Sequence, residues 1–505
     1  MKTNLKSVVL RAGLLGAVGL SCIGVLDSVA NEPPKLSVSD REVDRSAKGA
    51  SYASVIRRVT PSVVTIQSTS TVQLRQFRHP YVEDPRFRQF FGDGDEGFSQ
   101  RSPRTMQREG LGSGIIVTED GYILTNNHVV DGADEDGIKV VLSDGVTKYD
   151  AKVVGKDPRT DVAVLKVEAP GKLPAITLAD SDKLEVGDVV LAVGNPFGIG
   201  QSVSSGIISA LGRGFGILGE QGYEDFIQTD ASINQGNSGG ALVDSEGRLI
   251  GVNQSIASPS GANAGVGFAV PINMARSVME QLVTNGRIAR GFLGVSLQMI
   301  TPALAESFKL PDTSGALING VQPGTPAAKA GMKAGDVIVG FNDKPVSDFP
   351  HLRLMVSQTP PKTTTKFKVL RDGKEKIFTV ALAELPDDLT ANGRGDMDVG
   401  QDESPSATSL EGVEMADLNN RTRRQFRIPA DIQGVLVTRV DEDSPAAAAG
   451  LRPGCVIMEI GKRPVEDMET MVDSISGAKG KRLLLRVYNQ GTTQFLSVEA
   501  RKAKK

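Results

Sequence analysis

The sequence has 505 residues, which at about 100–200 residues per domain allows three or four domains. Charge is nearly balanced, with 57 Lys and Arg against 60 Asp and Glu, so no basic surface for nucleic acid is expected, and a hydrophobic content of 39% fits neither a disordered chain nor a multi-span membrane protein. The two cysteines and three histidines exclude a disulfide scaffold and a Cys/His zinc site, and we expect no metal or other cofactor.

The N-terminal segment 1–30 has the three parts of an export signal. Basic residues come first (Lys2, Lys6 and Arg11), an apolar stretch follows from Ala12 to Leu26, and Ser28-Val29-Ala30 forms a small-x-small cleavage site. We therefore predict a signal peptide that is removed after Ala30. The polar, charged segment 31–50 is predicted to be a mobile leader.

Two other interpretations of the N-terminal segment stay open. Its apolar stretch could act as a membrane anchor, although it is shorter than the ~20 residues that span a bilayer. Cys22 could be a lipidation site, although Gly19-Leu20-Ser21 before it is a poor lipobox. Association with the membrane surface therefore stays open, and an intramolecular disulfide is not expected if Cys22 is removed and Cys455 is left alone.

Short β-branched segments separated by turn signals extend from Ser62 to Val270. Together with 56 glycines and no tryptophan, this pattern predicts antiparallel barrels or sandwiches. The predicted strands lie at 63–66, 115–117, 122–125, 139–142, 162–167, 189–193, 241–243 and 266–270. The segment 73–107 lacks strand alternation and is predicted to be a long flexible loop. Residues 272–282 are predicted to form a helix, because Met274, Val278 and Leu282 share one face.

The C-terminal part of the sequence contains a repeat. Residues 315–346 align with residues 434–465 without a gap, and both copies contain Pro-Ala-Ala, Ala-Gly and Val-Ile at the same positions. This spacing is typical of two copies of a small domain rather than of a solenoid. The segment between the copies is acidic and poor in apolar residues, so it is predicted to be a flexible linker. The predicted domains are 51–285, 286–385 and 409–502, with the linker at 386–408.

A serine within glycines is the first candidate for chemistry. Ser238 lies in Asn234-Gln235-Gly236-Asn237-Ser238-Gly239-Gly240, directly before a predicted strand. A nucleophilic serine needs an exposed hydroxyl and nearby backbone N–H groups, and glycines allow the backbone angles that such a loop requires. An ordinary turn before a strand remains the alternative for this motif alone.

A histidine and an aspartate complete a possible catalytic set. His128 ends the predicted strand of Leu124-Thr125-Asn126-Asn127-His128, where it could act as a general base. Asp161 directly precedes the apolar strand 162–167, where it could orient an imidazole. The chain order His, Asp, Ser is that of double-barrel proteases, and all three residues fall in the all-β region. This coincidence favours catalysis over a structural role for each residue.

Four motifs identify the sequence as similar to the HtrA/DegP family of exported serine proteases. They are TNNHVV, RTDVAVLKV, LAVGNPFG and IQTDASINQGNSGGALVD, and the resemblance extends over nearly the whole chain after the signal. It implies a mostly β fold, namely a chymotrypsin-like double β-barrel protease domain followed by two α+β PDZ domains. By the same motifs, His128 is the general base, Asp161 orients it, Ser238 is the nucleophile, and the N–H groups of Gly236 and Ser238 form the oxyanion hole.

The resemblance also suggests a substrate pocket and a regulatory loop. Ser232 occupies the position where trypsin-like proteases have a carboxylate, so cleavage after Lys or Arg is not expected. Ile233 and Ile256 match positions that narrow the pocket, which favours a small aliphatic residue before the cleaved bond, although both could simply be core residues. Arg213 matches the residue through which the family senses PDZ occupancy.

The two repeats differ at the segment that resembles the carboxylate-binding loop of PDZ domains. In the first copy this loop comprises Arg290, Gly291, Phe292, Leu293 and Gly294. In the second copy, Ser409 and Glu411 replace Gly291 and Leu293. A carboxylate at 411 disfavours an anionic peptide end, so we predict that the first copy senses peptides and the second serves assembly.

The sequence therefore predicts an ATP-independent serine endopeptidase of the periplasm that degrades misfolded or damaged proteins. Its predicted partners are unfolded polypeptides and their C-terminal peptides. The family resemblance implies a homotrimer or a larger cage. The alternative is a PDZ-based holdase chaperone or scaffold whose protease activity is secondary or silent.

Overall fold

The computed structural model describes eleven parts of the chain: residues 34–37, 39, 41, 51–73, 105–195, 200–219, 221–234, 236–256, 264–386, 407–476 and 482–499. The predicted signal peptide, most of the predicted leader and residues 74–104 of the predicted loop lie outside these described residues.

Six antiparallel strands close a first barrel in the order β1-β2-β3-β6-β5-β4. They are β1 (Val63–Gln73), β2 (Thr105–Ile116), β3 (Tyr122–Thr125), β4 (Ile138–Val141), β5 (Lys148–Asp157) and β6 (Val162–Val167). The first two strands pair from Val63↔Ile115 to Gln73↔Thr105. The bounds predicted for the loop, 73–107, are therefore too wide, because Gln73 and residues 105–107 belong to paired strands.

A second barrel closes in the order β10-β11-β12-β9-β8-β7. Its strands are β7 (Val189–Gly194), β8 (Ser202–Arg213), β9 (Phe226–Thr229), β10 (Ala241–Asp244), β11 (Leu249–Ile256) and β12 (Gly267–Pro271). Its strands are buried on both faces: Ile227, Leu242 and Ala269 share one apolar cluster, whereas Phe226 and Phe268, 6.0 Å apart by ring centroid, pack in a second cluster that includes residues of the first barrel. The predicted double barrel is thus confirmed.

In the described part of the protease domain, three α-helices accompany the barrels, namely α1 (Ala53–Val59), α2 (Asn127–Val130) and α3 (Ile272–Asn285), together with short 3-10 helices at Thr60–Ser62 and Ser181–Lys183. The last helix buries Met274, Val278 and Leu282 as the sequence predicted, and it ends at Gly286 with a φ of 67°. The prediction that His128 ends a strand was wrong. Asn126 is the last extended residue, and His128 lies in the short helix α2 that follows.

The first C-terminal module has a five-strand path in the order β14-β15-β16-β18-β19, with β14 at its edge. Two further short strands, β13 and β20, pair with each other in a separate sheet. The elements are β13 (Gly291–Phe292), β14 (Val295–Gln298), α4 (Pro302–Phe308), β15 (Ala316–Val321), α5 (Pro326–Ala330), β16 (Val337–Phe341), β17 (Lys344–Pro345), α6 (Phe349–Gln358), β18 (Thr364–Arg371), β19 (Lys374–Ala381) and β20 (Ala383–Glu384).

The second module repeats this order of elements, and its main path is β21-β22-β23-β24-β26-β27. Its first strand begins at Ala407, inside the segment predicted as linker. The elements are β21 (Ala407–Leu410), β22 (Val413–Asp417), α7 (Asn420–Gln425), β23 (Val435–Val440), α8 (Pro445–Ala448), β24 (Val456–Ile460), β25 (Arg463–Pro464), α9 (Met468–Ser476), β26 (Arg482–Asn489) and β27 (Thr492–Glu499).

The two modules contact each other through α4 and β14 of the first and β27 of the second. The ring of Phe308 packs edge-on against that of Phe495 at 5.3 Å. The side-chain amide of Gln298 donates to the Phe495 carbonyl at 3.0 Å and accepts from its N–H at 2.7 Å. Among the described residues, no helix has both the length and the apolar character needed to cross a membrane.

Candidate active site

The interface between the two barrels brings together the residues that the sequence singled out. His128 lies on α2 and Asp161 between β5 and β6, both in the first barrel, whereas Ser238 lies in the loop before β10 of the second. The Nδ1 atom of His128 lies 2.7 Å from Oδ2 of Asp161, and the backbone N–H of His128 donates to Oδ1 of the same carboxylate at 2.9 Å. Two contacts to one carboxylate fix both the position and the ring orientation of this histidine.

Asp161 is held in an uncommon backbone conformation. Its φ is 56°, in the left-handed region that Asp and Asn adopt more readily than most residues. Its carbonyl accepts hydrogen bonds from the Asn127 N–H and the Asn126 side-chain amide, each at 3.1 Å. The Nε2 of Gln254 donates to Oδ2 at 3.3 Å. This network spans both barrels, because Gln254 belongs to β11.

The Ser238 hydroxyl donates to the backbone carbonyl of Gln254 at 2.9 Å. A hydroxyl has one hydrogen to donate, so in this structure that hydrogen points to Gln254. Attack on a substrate requires rotation of the hydroxyl toward the imidazole, which a change of one staggered rotamer provides. The Ser238 residue is only 5% exposed, so water competes weakly for that position.

The two backbone N–H groups predicted to bind an oxyanion lie in the loop around Ser238. Gly236 has a φ of 92°, and within the described residues the N–H groups of Gly236 and Ser238 donate to no other backbone group. Glycine is required at 239 for space, because an added Cβ would lie 2.1 Å from the Ser113 carbonyl oxygen and 2.3 Å from Oγ1 of Thr125. The close packing holds this loop against the first barrel.

Ser113 on β2 is a polar residue that sequence reasoning missed. It is completely buried, and its hydroxyl donates to the Gly236 carbonyl at 2.6 Å while accepting from the Asn195 N–H at 2.9 Å. Its own N–H donates to the Ser238 carbonyl at 2.8 Å. Ser113 thus connects the first barrel to the loop around Ser238 at two residues, Gly236 and Ser238. A lone serine between glycines in a strand gave no signal of this role.

We expect Ser113→Ala to lower kcat about 10–100-fold with little change in KM. The variant leaves a buried carbonyl and a buried N–H without their hydroxyl partner, so the Gly236 peptide can turn away from the geometry that an oxyanion needs. Steady-state cleavage of a fluorogenic peptide measures both constants. Thr125→Val is the matched control, because it removes only the bond from Thr125 to the Ser113 carbonyl. A kcat within twofold of the parent would contradict this positioning role.

The two isoleucines predicted to narrow the substrate pocket are both buried in the second barrel. Ile233 is fully buried and Ile256 is 9% exposed, and they belong to one apolar cluster with Ile227 and Leu242. Ser232, their neighbour, is exposed, and its carbonyl accepts from the Ser204 hydroxyl at 2.7 Å. The burial is consistent with a pocket wall and equally with core packing, so the pocket assignment stays a prediction.

The predicted regulatory loop is the segment from Arg213 to Tyr223. It contacts the first C-terminal module through Tyr223 rather than through Arg213. Arg213 ends β8 and is exposed. The Tyr223 ring lies between two guanidinium groups of the module, 4.9 Å from that of Arg290 and 5.2 Å from that of Arg353. The loop itself is organised by the Glu224 carboxylate, which accepts three N–H groups, those of Phe215, Gly216 and Leu218.

Arg290 connects the predicted carboxylate loop to the protease domain. Its guanidinium forms a buried ion pair with Asp157, the last residue of β5. The same carboxylate accepts from the Thr160 hydroxyl at 2.5 Å, one residue before Asp161. Sequence reasoning grouped Arg290 with the loop, whereas the structure directs its side chain away to the protease domain.

The rest of the predicted carboxylate loop lies at the start of the edge strand β14. Gly291 and Phe292 form β13, Leu293 is buried, and Gly294 has a φ of 83°. Within the described residues, the N–H groups of Leu293 and Gly294 donate to no other backbone group. Two such consecutive groups in a turn of this kind form a concave site for an anion.

Asp225 is a half-buried carboxylate between the protease domain and the first module. Burial, reinforced by the nearby charges of Asp182 and Asp348, raises its pKa from 3.8 to about 6. A folded-state pKa above the ordinary value means that the folded chain holds this proton more tightly than the unfolded chain. Asp225 therefore lowers the stability of the fold progressively as the pH rises from about 4 through 6.

We expect Asp225→Asn to unfold at a higher temperature than the parent at pH 7.5. The difference should shrink as the pH falls and vanish below about pH 4, where the parent side chain is also neutral. Thermal unfolding followed by circular dichroism at a series of pH values measures this. Asp136→Asn, in an exposed turn, is the control for loss of a carboxylate. A difference that does not vary with pH would contradict the assignment.

Three parts of the chain match known domain families. Residues 112–252 match the trypsin-like peptidase domain, and residues 291–382 and 436–489 each match a PDZ domain. These matches lie within the double barrel and the two C-terminal modules described above.

Several relatives are similar over almost the whole chain. The periplasmic serine endoprotease DegP of Salmonella typhimurium is 40% identical over 486 residues, covering 92% of this chain and 96% of the relative. The periplasmic pH-dependent serine endoprotease DegQ of Escherichia coli is 38% identical over 492 residues, covering 97% and 99%. A solved structure of the HtrA-type protease AlgW with a decapeptide is 44% identical, covers 67% of this chain and 99% of that chain, and has a TM-score of 0.52.

Proposed function

The chain belongs to the HtrA/DegP family of serine endoproteases, and on that premise we propose that His128, Asp161 and Ser238 catalyse peptide-bond hydrolysis through an acyl-enzyme. The chain is a serine endopeptidase with two PDZ domains. The residue assignment rests on the His128–Asp161 pair. Two hydrogen bonds join these residues, and the pair faces the loop around Ser238 across the barrel interface.

In the proposed first step, the Ser238 oxygen attacks the carbonyl carbon of the substrate while Nε2 of His128 takes the hydroxyl proton. The oxyanion that forms is bound by the N–H groups of Gly236 and Ser238. Asp161 keeps the Nδ1 proton in place and stabilises the imidazolium. The carbon–nitrogen bond then breaks, and the leaving amine receives the proton from His128. Water, activated by the same histidine, hydrolyses the acyl-enzyme and restores Ser238.

We propose that the enzyme cleaves after small aliphatic residues such as Val and Ala. No carboxylate is available at Ser232 to pair with a basic side chain, and the next residue, Ile233, is buried in one apolar cluster with Ile256. A pocket discriminates about 1–3 kcal/mol per methylene, so this preference should be graded rather than absolute.

Regulation by peptide binding is proposed to pass from the first PDZ domain to the protease domain. The carboxylate loop is continuous with Arg290, whose partner Asp157 contacts Thr160 next to Asp161. Leu354, on α6 of the first PDZ domain, is buried in the apolar cluster of the protease domain. A movement of the peptide-bound domain can therefore reach Asp161 in two steps. The ion pair between Arg290 and Asp157 passes the movement to Thr160, and Thr160 is bonded to Asp161 through the backbone.

The remaining proposals concern location, substrates and assembly. The relatives are named periplasmic endoproteases, and we propose that segment 1–30 directs this chain to the same compartment. Unfolded polypeptides are the proposed substrates, without a requirement for ATP. A homotrimer or larger cage is the proposed assembly. The relatives' names and the paired histidine favour the protease over the holdase alternative.

The test is degradation of unfolded β-casein without ATP, with a compactly folded protein of similar size as the comparison substrate. We expect casein to be degraded and the folded protein to be spared. Mass spectrometry of the products should show cleavage mainly after Val, Ala and Ile. Cleavage concentrated after Lys or Arg would refute the pocket assignment, and a requirement for ATP would refute the proposed energetics.

A further inference from the structure

We propose that residues Ala407–Leu410 are an intramolecular ligand of the second PDZ domain. They form a strand at the sheet edge that corresponds to the peptide-binding edge of the first PDZ domain. This deepens the proposed function, because it rests on peptide addition at the edge of β14. The two copies of the module in one chain provide the comparison, since their carboxylate loops precede corresponding strands, β14 and β22.

In the first PDZ domain no strand of the described residues pairs with the outer edge of β14. The strand β14 pairs with β15 on one side and ends the sheet on the other. The chain just before the loop, β13, pairs instead with β20, from Gly291↔Glu384 to Phe292↔Ala383. An extended peptide can therefore add its backbone to β14, which is the ordinary way in which PDZ domains bind.

In the second PDZ domain the corresponding edge is occupied. The strand β22 pairs with β23 on one side and with β21 on the other, and the latter pairing is antiparallel with Ala407 opposite Met415, Thr408 opposite Glu414 and Leu410 opposite Val413. Leu410 is 2% exposed in the apolar core of the domain. A strand has only two edges for hydrogen bonding, so a peptide can reach β22 only after β21 leaves.

The turn that precedes the edge is the same in both copies. Gly294 has a φ of 83° and lies against Thr325, and Gly412 has a φ of 72° and lies against Ser444. In each copy a Cβ added to the glycine would lie within 2.7 Å of that neighbour. The glycine turn that ends the carboxylate loop is therefore retained in the second domain, and the difference lies in what pairs with the strand after it.

Space at Gly291 gives a physical reason for the change of partner. A Cβ added there would lie 2.4 Å from the Val356 carbonyl oxygen and 2.5 Å from that of Thr359, so β13 approaches the end of α6 more closely than any side chain allows. When the loops are aligned on Gly294 and Gly412, the residue at the Gly291 position is Ser409. A serine cannot take that place, and the second copy pairs this segment with β22 instead.

A tethered strand has an advantage over a free peptide. The segment 407–410 is joined to β22 by only two residues, Glu411 and Gly412, so its effective concentration at β22 is in the millimolar range or above. A free peptide must compete with it. The expected result is that each chain binds one peptide, at the first PDZ domain.

Peptide stoichiometry in the full chain tests the proposal. The chain carrying Ser238→Ala is titrated with a fluorescein-labelled ten-residue peptide that ends in valine, and the same peptide with an amidated end is the control. We expect one bound peptide per chain. Two bound peptides per chain would overturn the proposal that β21 closes the edge of β22. No bound peptide would overturn the proposed role of the first PDZ domain as peptide sensor, and the pairing of β21 is then decided by the cross-strand disulfide.

A cross-strand disulfide tests that pairing without any peptide. Thr408→Cys with Glu414→Cys places two thiols at directly opposite residues, and mild oxidation should protect both from alkylation. Thr408→Cys with Ala416→Cys, two residues out of register, is the matched control and should stay open to alkylation. Equal protection in the two variants, or none in the first, would overturn the assignment of β21.

A converse variant asks whether the residue at 291 controls the choice of edge. Gly291→Ser in the Ser238→Ala chain should lower peptide affinity at least tenfold. The first PDZ domain then carries a serine at the position of Ser409, where the second PDZ domain has its peptide edge occupied by β21. Thermal unfolding identifies a variant that fails to fold. Unchanged affinity in a folded variant would remove the physical reason given for the change of partner.

Discussion

Ser238→Ala is expected to reduce casein degradation about 10⁶-fold, below ordinary detection, because no other group can form the acyl-enzyme. The alanine keeps the backbone of the loop and removes only the oxygen that now donates to Gln254. Binding of a C-terminal peptide to the first PDZ domain should be unchanged. Initial rates of casein degradation, together with labelling by a fluorophosphonate, measure the effect.

Ser245→Ala is the matched control for this variant. Ser245 lies in the turn after β10, only seven residues along the chain, and is partly exposed. Its loss should leave the degradation rate unchanged. Residual activity of the Ser238 variant above about one part in a thousand, in protein free of contaminating protease, would refute Ser238 as nucleophile, since the residual rate without a nucleophile is far smaller.

Asp161→Asn is expected to lower kcat about 10⁴-fold while the chain remains folded. Asparagine accepts the left-handed backbone at this position, so the φ of 56° is no obstacle. Its amide, however, offers one acceptor where the carboxylate offers two, and it stabilises no imidazolium. The His128 ring is then free to adopt the tautomer that cannot accept the Ser238 proton.

Steady-state kinetics on a fluorogenic peptide measures this loss, and thermal unfolding shows that the fold is kept. Asp150→Asn is the control, because Asp150 forms an exposed ion pair with Lys139 on the same barrel, and exposed pairs contribute little. A loss of kcat smaller than tenfold for the Asp161 variant would assign the carboxylate a structural role only.

The strands and the long helix were predictable because their signals are local. A short, valine-rich apolar run places Val162–Val167 in a strand, and the helical spacing of Met274, Val278 and Leu282 matches one buried face of α3. The catalytic candidates were also accessible, since three scarce residue types occur in the order of a known mechanism. His128 was misplaced by a few residues because the pattern does not show where β3 ends and a helical turn begins.

The contacts that the sequence could not predict join residues far apart in the chain. Arg290 pairs with Asp157 across 133 residues, and Ser113 bonds Gly236 across 123. Ser113 has no distinctive sequence neighbourhood, the motif around Arg290 does not show which way its side chain points, and the partners of both residues are determined only when the barrels and the modules pack. The edge occupied by β21 was missed for a related reason, because the sequence of a strand does not determine which of two neighbours it pairs with.

The second module differs from the first at another buried position. Asp336 in the first copy forms an ion pair with Arg371, with Oδ1 of Asp336 2.6 Å from Nε of Arg371. In the second copy Cys455 replaces the aspartate, and it is fully buried, which raises the pKa of its thiol. The sequence correctly indicated that the copies had diverged, and the structure shows an ion pair replaced by an apolar contact.

The backbone at residue 161 has a consequence for how this family would evolve. The positive φ there favours Asp, Asn or Gly over most other residues, for conformational reasons that do not depend on chemistry. A lineage that lost Ser238 and survived on binding alone would still be biased toward those three residues by folding. An aspartate retained at this position in a distant homologue is therefore weak evidence of protease activity, whereas a serine retained at position 238 is strong evidence.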